Sequence, residues 1–69
     1  MGVSYSKLFK LMIDKKMKKK DLIALAEISP STMAKLGKDQ WVSTEVLAKI
    51  CMVLDVNIGD IMDITSEKH

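Results

Sequence analysis

Residues 17–36 read MKKKDLIALAEISPSTMAKL and hold two short runs of apolar residues at helical spacing. The runs cover residues 19–26 and 30–36, so only three residues separate them. Ser29 and Pro30 suit the start of the second run, because a serine hydroxyl can accept a hydrogen bond from a free amide and proline has no N–H to lose at the first helical position. The pattern predicts two helices of about two turns each, joined by a tight turn.

Helix starts of the same kind recur along the chain. Apolar residues stand five positions apart, as in the hydrophobic staple that brackets a helix start, in the pairs Val3/Leu8, Met17/Leu22, Ile28/Met33, Val42/Leu47 and Val56/Ile61. The expected caps are Ser4, Lys18, Ser29, Ser43 and Asn57, of which only Lys18 lacks a side-chain oxygen. The predicted helices cover residues 5–15, 19–26, 30–36, 44–54 and 58–62, and Gly37 is expected to end the third in a left-handed conformation.

These elements predict an all-α, compact five-helix fold. The 69 residues suffice for one domain, with a core over about residues 4–64 and frayed ends at 1–3 and 65–69. We expect the second helix to bury its apolar residues, which are Leu22, Ile23, Leu25 and Ala26. Trp41 precedes the fourth helix and is expected to plug the base of the core, with a partner or DNA-backbone contact as the alternative.

Charge is distributed unevenly along the chain. The formal net charge is only +2, but residues 1–38 hold nine lysines against three acidic residues, and residues 39–69 hold two lysines against six. Arginine is absent. A basic half indicates a polyanionic partner more strongly than the net charge does.

Composition also excludes several classes of site. With the single cysteine, Cys51, and the single histidine, His69, neither an internal disulfide, a cysteine-rich zinc site nor a histidine-based catalytic site can form within one chain. No glycine-rich phosphate loop, apolar run of membrane-spanning length or signal-peptide pattern is present. We expect a cytoplasmic protein that is not an enzyme, with no cofactor, metal, membrane contact or evident pocket for a small-molecule effector.

Residues 17–36 resemble the helix-turn-helix motif of the Cro and lambda-repressor (XRE) family of DNA-binding domains. Residues 43–61, which read STEVLAKICMVLDVNIGDI, are similar to the fourth and fifth helices of that family. The resemblance covers about residues 6–64. It implies a lambda-repressor-like domain, with the motif formed by helices 2 and 3, that binds duplex DNA as a homodimer and regulates transcription.

The resemblance also implies roles for individual residues, with residues 30–36 in the major groove. Pro30, Ser31 and Lys35 fall where family members read base edges. The positions that touch phosphate or hold the register are those of Lys19, Ser29, Thr32 and Lys38. Lys18, in the run of lysines at the start of the second helix, is expected to contact phosphate through its charge. Ser29 is expected to act first as a helix cap. The basic side chains should gather on one face with helix 3, and they are Lys15, Lys16, Lys18, Lys19, Lys20, Lys35 and Lys38.

Three expectations concern the turn, the dimer and the function class. Glu27 stands where the family usually has glycine, so it either adopts a left-handed conformation at a cost of about 1–2 kcal/mol or the turn differs. Val56 and Ile58 are candidates for the dimer interface, with plain core packing as the alternative. A non-enzymatic protein-interaction module on the same fold, such as a small modulator or an antitoxin-like partner, is the alternative function.

Overall fold

Four α-helices and a small antiparallel sheet make up residues 1–66, which are the residues that the computed structural model describes. The elements, in chain order, are β1 (Gly2–Ser4), α1 (Ser6–Asp14), α2 (Lys19–Ala26), α3 (Pro30–Gly37), α4 (Thr44–Leu54), a 3-10 turn (Ile58–Asp60) and β2 (Asp63–Thr65). The helices α2 and α4 have the predicted bounds, and α3 runs one residue further than predicted. The helix α1 is shorter at both ends.

The expected fifth helix is wrong, because residues 58–60 form a single 3-10 turn. The backbone N–H of Asn57 donates to the Asp60 carboxylate at 3.0 Å, which caps the start of this turn. Gly59, a poor helix former, lies inside it. The described chain is therefore mostly helical rather than a five-helix, all-α domain.

The expectation of frayed ends is also wrong for the residues described. The strands β1 and β2 pair antiparallel, with Gly2 opposite Thr65 and Ser4 opposite Asp63. Val3, between them, is buried, so its side chain belongs to the core. Ser4 lies in this sheet and Tyr5 occupies the N-cap position of α1, so Ser4 is not the cap that the sequence predicted. Residues 67–69 of the predicted frayed end lie outside the described residues.

One apolar cluster unites all four helices, β1 and the residue after the 3-10 turn. Its fully buried side chains are Tyr5, Leu8, Leu22, Leu36, Ile50 and Ile61. Tyr5, rather than Trp41, is the aromatic residue of this core: Trp41 is 55% exposed, so its predicted role as a core plug is wrong. Leu25, predicted to be buried, is 59% exposed, because Leu22 and Ala26 provide the buried face of α2. None of the helices among residues 1–66 is long and apolar enough to cross a membrane.

Candidate nucleic-acid interface

The start of α3 is closed by its own residues. Ser29 has extended backbone angles, and its Oγ accepts a hydrogen bond from the backbone N–H of Thr32 at 3.1 Å. The same oxygen lies 2.9 Å from the Thr32 hydroxyl and 3.0 Å from the Ser31 hydroxyl. The predicted cap is confirmed. The three hydroxyls form one polar cluster at the N-terminus of the helix, where the positive end of its dipole favours an anion.

The link between α2 and α3 depends on an unusual backbone conformation. Glu27 has φ 55° and ψ 47°, so of the two alternatives left open by the sequence, this residue adopts the left-handed conformation. The next residue, Ile28, is buried, and its N–H donates to the carbonyl of Ile23 at 3.2 Å. This reversal lets α3 begin after only three intervening residues and pack against α2.

Basic side chains surround the start of α2. Lys18, Lys19 and Lys20 are all exposed. The backbone N–H of Lys18 donates to the Asp21 carboxylate at 2.9 Å, which is one half of a capping box. The lysine side chain has no acceptor atom, so it cannot supply the other half. The Lys19 ammonium lies 5.7 Å from the ring centroid of Phe9, a favourable cation–π contact that directs the lysine toward α1. Nothing in the sequence pattern indicated that Phe9 would contact a lysine of α2.

A groove of about 420 Å³ runs between α2 and α3. We call it the basic groove, and its lining residues are Lys19, Ile23, Pro30, Met33, Ala34, Gly37 and Lys38. The structure thus brings together three predicted contacts: Lys19 from the start of α2, Pro30 from the start of α3 and Lys38 from its end. Lys35 is exposed on α3 and does not line the groove, so its ammonium is available to a different part of a ligand.

The end of α3 differs from the prediction. Gly37 is the last helical residue and does not have a positive φ, so the predicted left-handed cap at Gly37 is wrong. Asp39 takes that conformation, with φ 54°. The Gln40 N–H then donates to the carbonyl of Lys35 at 2.9 Å, and the Asp39 N–H donates to that of Leu36 at 3.2 Å. Aspartate tolerates this conformation better than most residues, which is the only local signal that the sequence offered.

The sequence of residues 7–67 matches the family described as the Cro/C1-type HTH DNA-binding domain. This chain belongs to that family. The crystal structure of the transcriptional regulator VanUg, Form II, is similar to it with a TM-score of 0.91 and 48% sequence identity, over 96% of this chain and 88% of that chain. No curated protein matches the chain. The resemblance predicted from residues 17–36 and 43–61 is therefore confirmed.

The two candidate interface residues of this Cro/C1-type domain differ in exposure. Val56 is half-buried and packs against the core, whereas Ile58 is 47% exposed. A second exposed apolar pair lies elsewhere: Leu25 on α2 and Met52 on α4 line a separate groove of about 190 Å³. Among residues 1–66, no group of histidine, cysteine and acidic side chains could hold a metal ion.

Proposed function

We propose that this Cro/C1-type domain is a transcriptional regulator that reads duplex DNA with α2 and α3 as its helix-turn-helix and α3 in the major groove. Membership of the family and the similarity to a transcriptional regulator support a DNA-binding regulator. The observation that carries the finer proposal is the basic groove between α2 and α3, which Lys19 and Lys38 both line.

The two classes of contact divide between the groove and α3. Lys18, Lys19 and Lys38 contact phosphates, since ammonium groups bind the DNA backbone without regard to sequence. The N-terminus of α2 adds a favourable dipole for a phosphate. The Ser29 and Thr32 hydroxyls, already bonded to each other, hold the start of α3 in register against the backbone.

Base reading falls to the exposed face of α3. Lys35 can donate to guanine O6 and N7, and Ser31 can donate or accept. Pro30 offers an apolar contact to a thymine methyl group. Without an arginine in the chain, the bidentate fork to guanine is missing, so specificity depends on these few weaker readers.

Substituting single lysines tests this assignment. Lys19→Glu and Lys35→Glu should each weaken duplex binding, whereas Lys49→Glu on α4 makes the same change of charge away from the groove and should have a smaller effect. In the wild type, the logarithm of the binding constant should fall linearly with the logarithm of salt concentration. Binding with no salt dependence, or unchanged binding by both the Lys19 and Lys35 variants, would contradict the proposal. Selection from random duplex DNA should return a palindrome.

We also propose that the domain acts as a homodimer through Ile58, with Val56 beneath it. A two-fold dimer matches the symmetry of a palindromic operator. Ile58→Lys should convert the dimer to a monomer in light scattering across a concentration series. Met52→Lys, which introduces the same charge at the other exposed apolar surface, is the control. A wild-type monomer at high micromolar concentration contradicts the proposal, and a monomer caused by Met52→Lys alone relocates the interface.

The alternative function is a protein-interaction module. Leu25 is 59% exposed and Met52 is 82% exposed, and a monomeric domain of this size gains nothing from two large apolar side chains beside one groove. The interaction module would be favoured by two results together. Selection from random duplex DNA would return no preferred sequence, and Leu25→Lys would abolish regulation of transcription while circular dichroism shows the variant to be folded.

A further inference from the structure

A residue distant from α3 in the sequence holds the segment that follows it. The backbone N–H of Tyr5 donates to Oδ1 of Asp39 at 3.0 Å, and the phenolic hydroxyl of Tyr5 donates to the carbonyl oxygen of Gln40 at 2.9 Å. We call these two hydrogen bonds the Tyr5 clamp. Since Tyr5 is fully buried, its ring is fixed by the core, and the clamp transmits that position to residues 39 and 40.

The clamp also completes the start of α1. Tyr5 is the N-cap residue of α1 and makes no side-chain cap of its own. The Asp39 carboxylate accepts from the free amide there and places a negative charge at the positive end of the helix dipole. One carboxylate thus joins α1 to the end of α3.

Residues 38–40 are consequently held from two sides. On the α3 side, the Lys38 N–H donates to the carbonyls of Ala34 and Lys35, at 3.2 and 3.1 Å. On the α1 side, the clamp binds the next two residues. The Lys38 backbone lies at the junction of these restraints, and Lys38 lines the basic groove together with Lys19.

We propose that Tyr5 and Asp39 are positioning residues for DNA binding, which hold Lys38 so that it and Lys19 grip the same phosphate. Neither residue lines the basic groove. This inference rests on the proposed function, since it needs the groove to bind the DNA backbone. Fixing the backbone beneath a long, flexible lysine before binding reduces the entropy lost when its ammonium is immobilised.

Tyr5→Phe is the direct test, because it removes one hydroxyl and leaves the charge and the buried ring in place. Losing one hydrogen bond should weaken duplex binding about three- to tenfold. The slope of the logarithm of binding against the logarithm of salt should decrease by about one if the phosphate contact of Lys38 is lost. A purely stabilising role would not change that slope, provided that circular dichroism shows the variant to be folded at the assay temperature.

A double-mutant cycle assigns the effect to Lys38. Lys38→Gln alone should weaken binding and reduce the slope by about one. In that background, Tyr5→Phe should have no further effect, because the side chain that it positions is already gone. Additive losses in the double variant would overturn the proposal.

Two aspartates provide a control matched in charge and chemistry. Asp39→Asn should weaken binding about two- to fivefold through the loss of the charge at the start of α1, although removing a negative charge favours DNA binding by itself. Asp63→Asn makes the same change where Asp63 pairs with Lys7 at 3.1 Å, and should leave binding equal or slightly stronger. Equal effects of the two variants would overturn the proposal.

The only tryptophan reports on the clamp directly. Trp41 follows Gln40 and is 55% exposed, so acrylamide quenching of its fluorescence should increase in Tyr5→Phe and Asp39→Asn but not in Asp63→Asn. The proposal fails if Trp41 quenching and duplex binding in Tyr5→Phe equal those of the wild type while Lys38→Gln binds the duplex weakly. Failure of the proposed function looks different, since Lys19→Glu and Lys35→Glu would then bind as well as the wild type.

Discussion

The two ends of α3 are held in different ways. At its start, Ser29 bonds to Thr32, three positions away. At its end, the segment after Gly37 is held by Tyr5, which lies 34 positions earlier than Asp39. A local cap forms with its own helix, whereas a long-range clamp exists only when α1 is docked. The start of α3 is therefore capped by residues of its own helix, whereas the segment after its end also depends on the docking of α1.

Removing the ring of Tyr5, which holds the segment after α3, should give the largest loss of stability. Tyr5→Ala leaves a cavity in the core and eliminates the phenolic hydrogen bond, so the free energy of unfolding should fall by about 3–5 kcal/mol. Because a domain of this size has little stability to lose, the variant should be largely unfolded at 25 °C. Urea unfolding followed by circular dichroism measures this. A loss below about 1 kcal/mol would show that the ring is replaceable.

The local end should respond more weakly. Ser29→Ala removes the hydroxyl that caps α3, and the expected loss is about 1 kcal/mol. Ser43→Ala, at the equivalent position of α4, where Oγ accepts from the Val46 N–H at 3.2 Å, is the matched comparison. Both variants should remain folded in the same urea titration. A loss of unfolding free energy as large as that of Tyr5→Ala would mean that the start of α3 also depends on distant contacts.

A substitution in the link between α2 and α3 should stabilise the domain. Glu27→Gly should raise the free energy of unfolding by up to about 1 kcal/mol, because glycine adopts the left-handed conformation without steric strain, although its flexible unfolded state offsets part of the gain. Thermal unfolding should show a higher Tm. A lower Tm would indicate that the Glu27 side chain contributes contacts that outweigh the strain.

High pH should act on the segment after α3 through the hydroxyl of Tyr5. Burial raises the pKa of Tyr5 above its ordinary value of 10, and the nearby Asp39 charge adds to this, with the backbone of Val42 acting in the opposite direction. The unfolded chain then loses its tyrosine proton at a lower pH than the folded one. Stability should therefore decline as pH rises beyond 10.

The comparison with Tyr5→Phe isolates this titration, because the two proteins differ only in that hydroxyl. The difference in free energy of unfolding between the two proteins should be constant between pH 7 and 9 and should narrow above pH 10. A difference that stays constant up to pH 11 would contradict the assignment.

The same division explains what the sequence could predict. Ser29, Pro30 and Ser43 act on their own helices, so the bounds of α2 and α4 and the start of α3 followed from local spacing. The family resemblance marked Glu27 as the unusual position of the turn but left its conformation open. These features, with the predicted positions of Lys19 and Lys38, account for the groove between α2 and α3.

Features that depend on distant partners could not be predicted. Asp39 and Tyr5 are far apart in the chain, and nothing in either neighbourhood indicates the other. The strands β1 and β2 are three residues each, too short for an alternating pattern, and are stable only as a pair. Leu25 fits the apolar spacing of α2 but lies at the edge of its contact with α4, which spacing alone does not locate.

The pairing of β1 with β2 has a topological consequence. Gly2 and Thr65 are cross-strand partners, and neighbouring strands lie about 5 Å apart, so the described chain leaves the domain almost where it entered. A short glycine linker could join these points into a covalent ring. In the chain-entropy view, closing a loop of this length restricts the unfolded state by about 4 kcal/mol, and the folded domain would need no rearrangement to accept it. The small sheet thus makes the domain a natural candidate for backbone cyclisation.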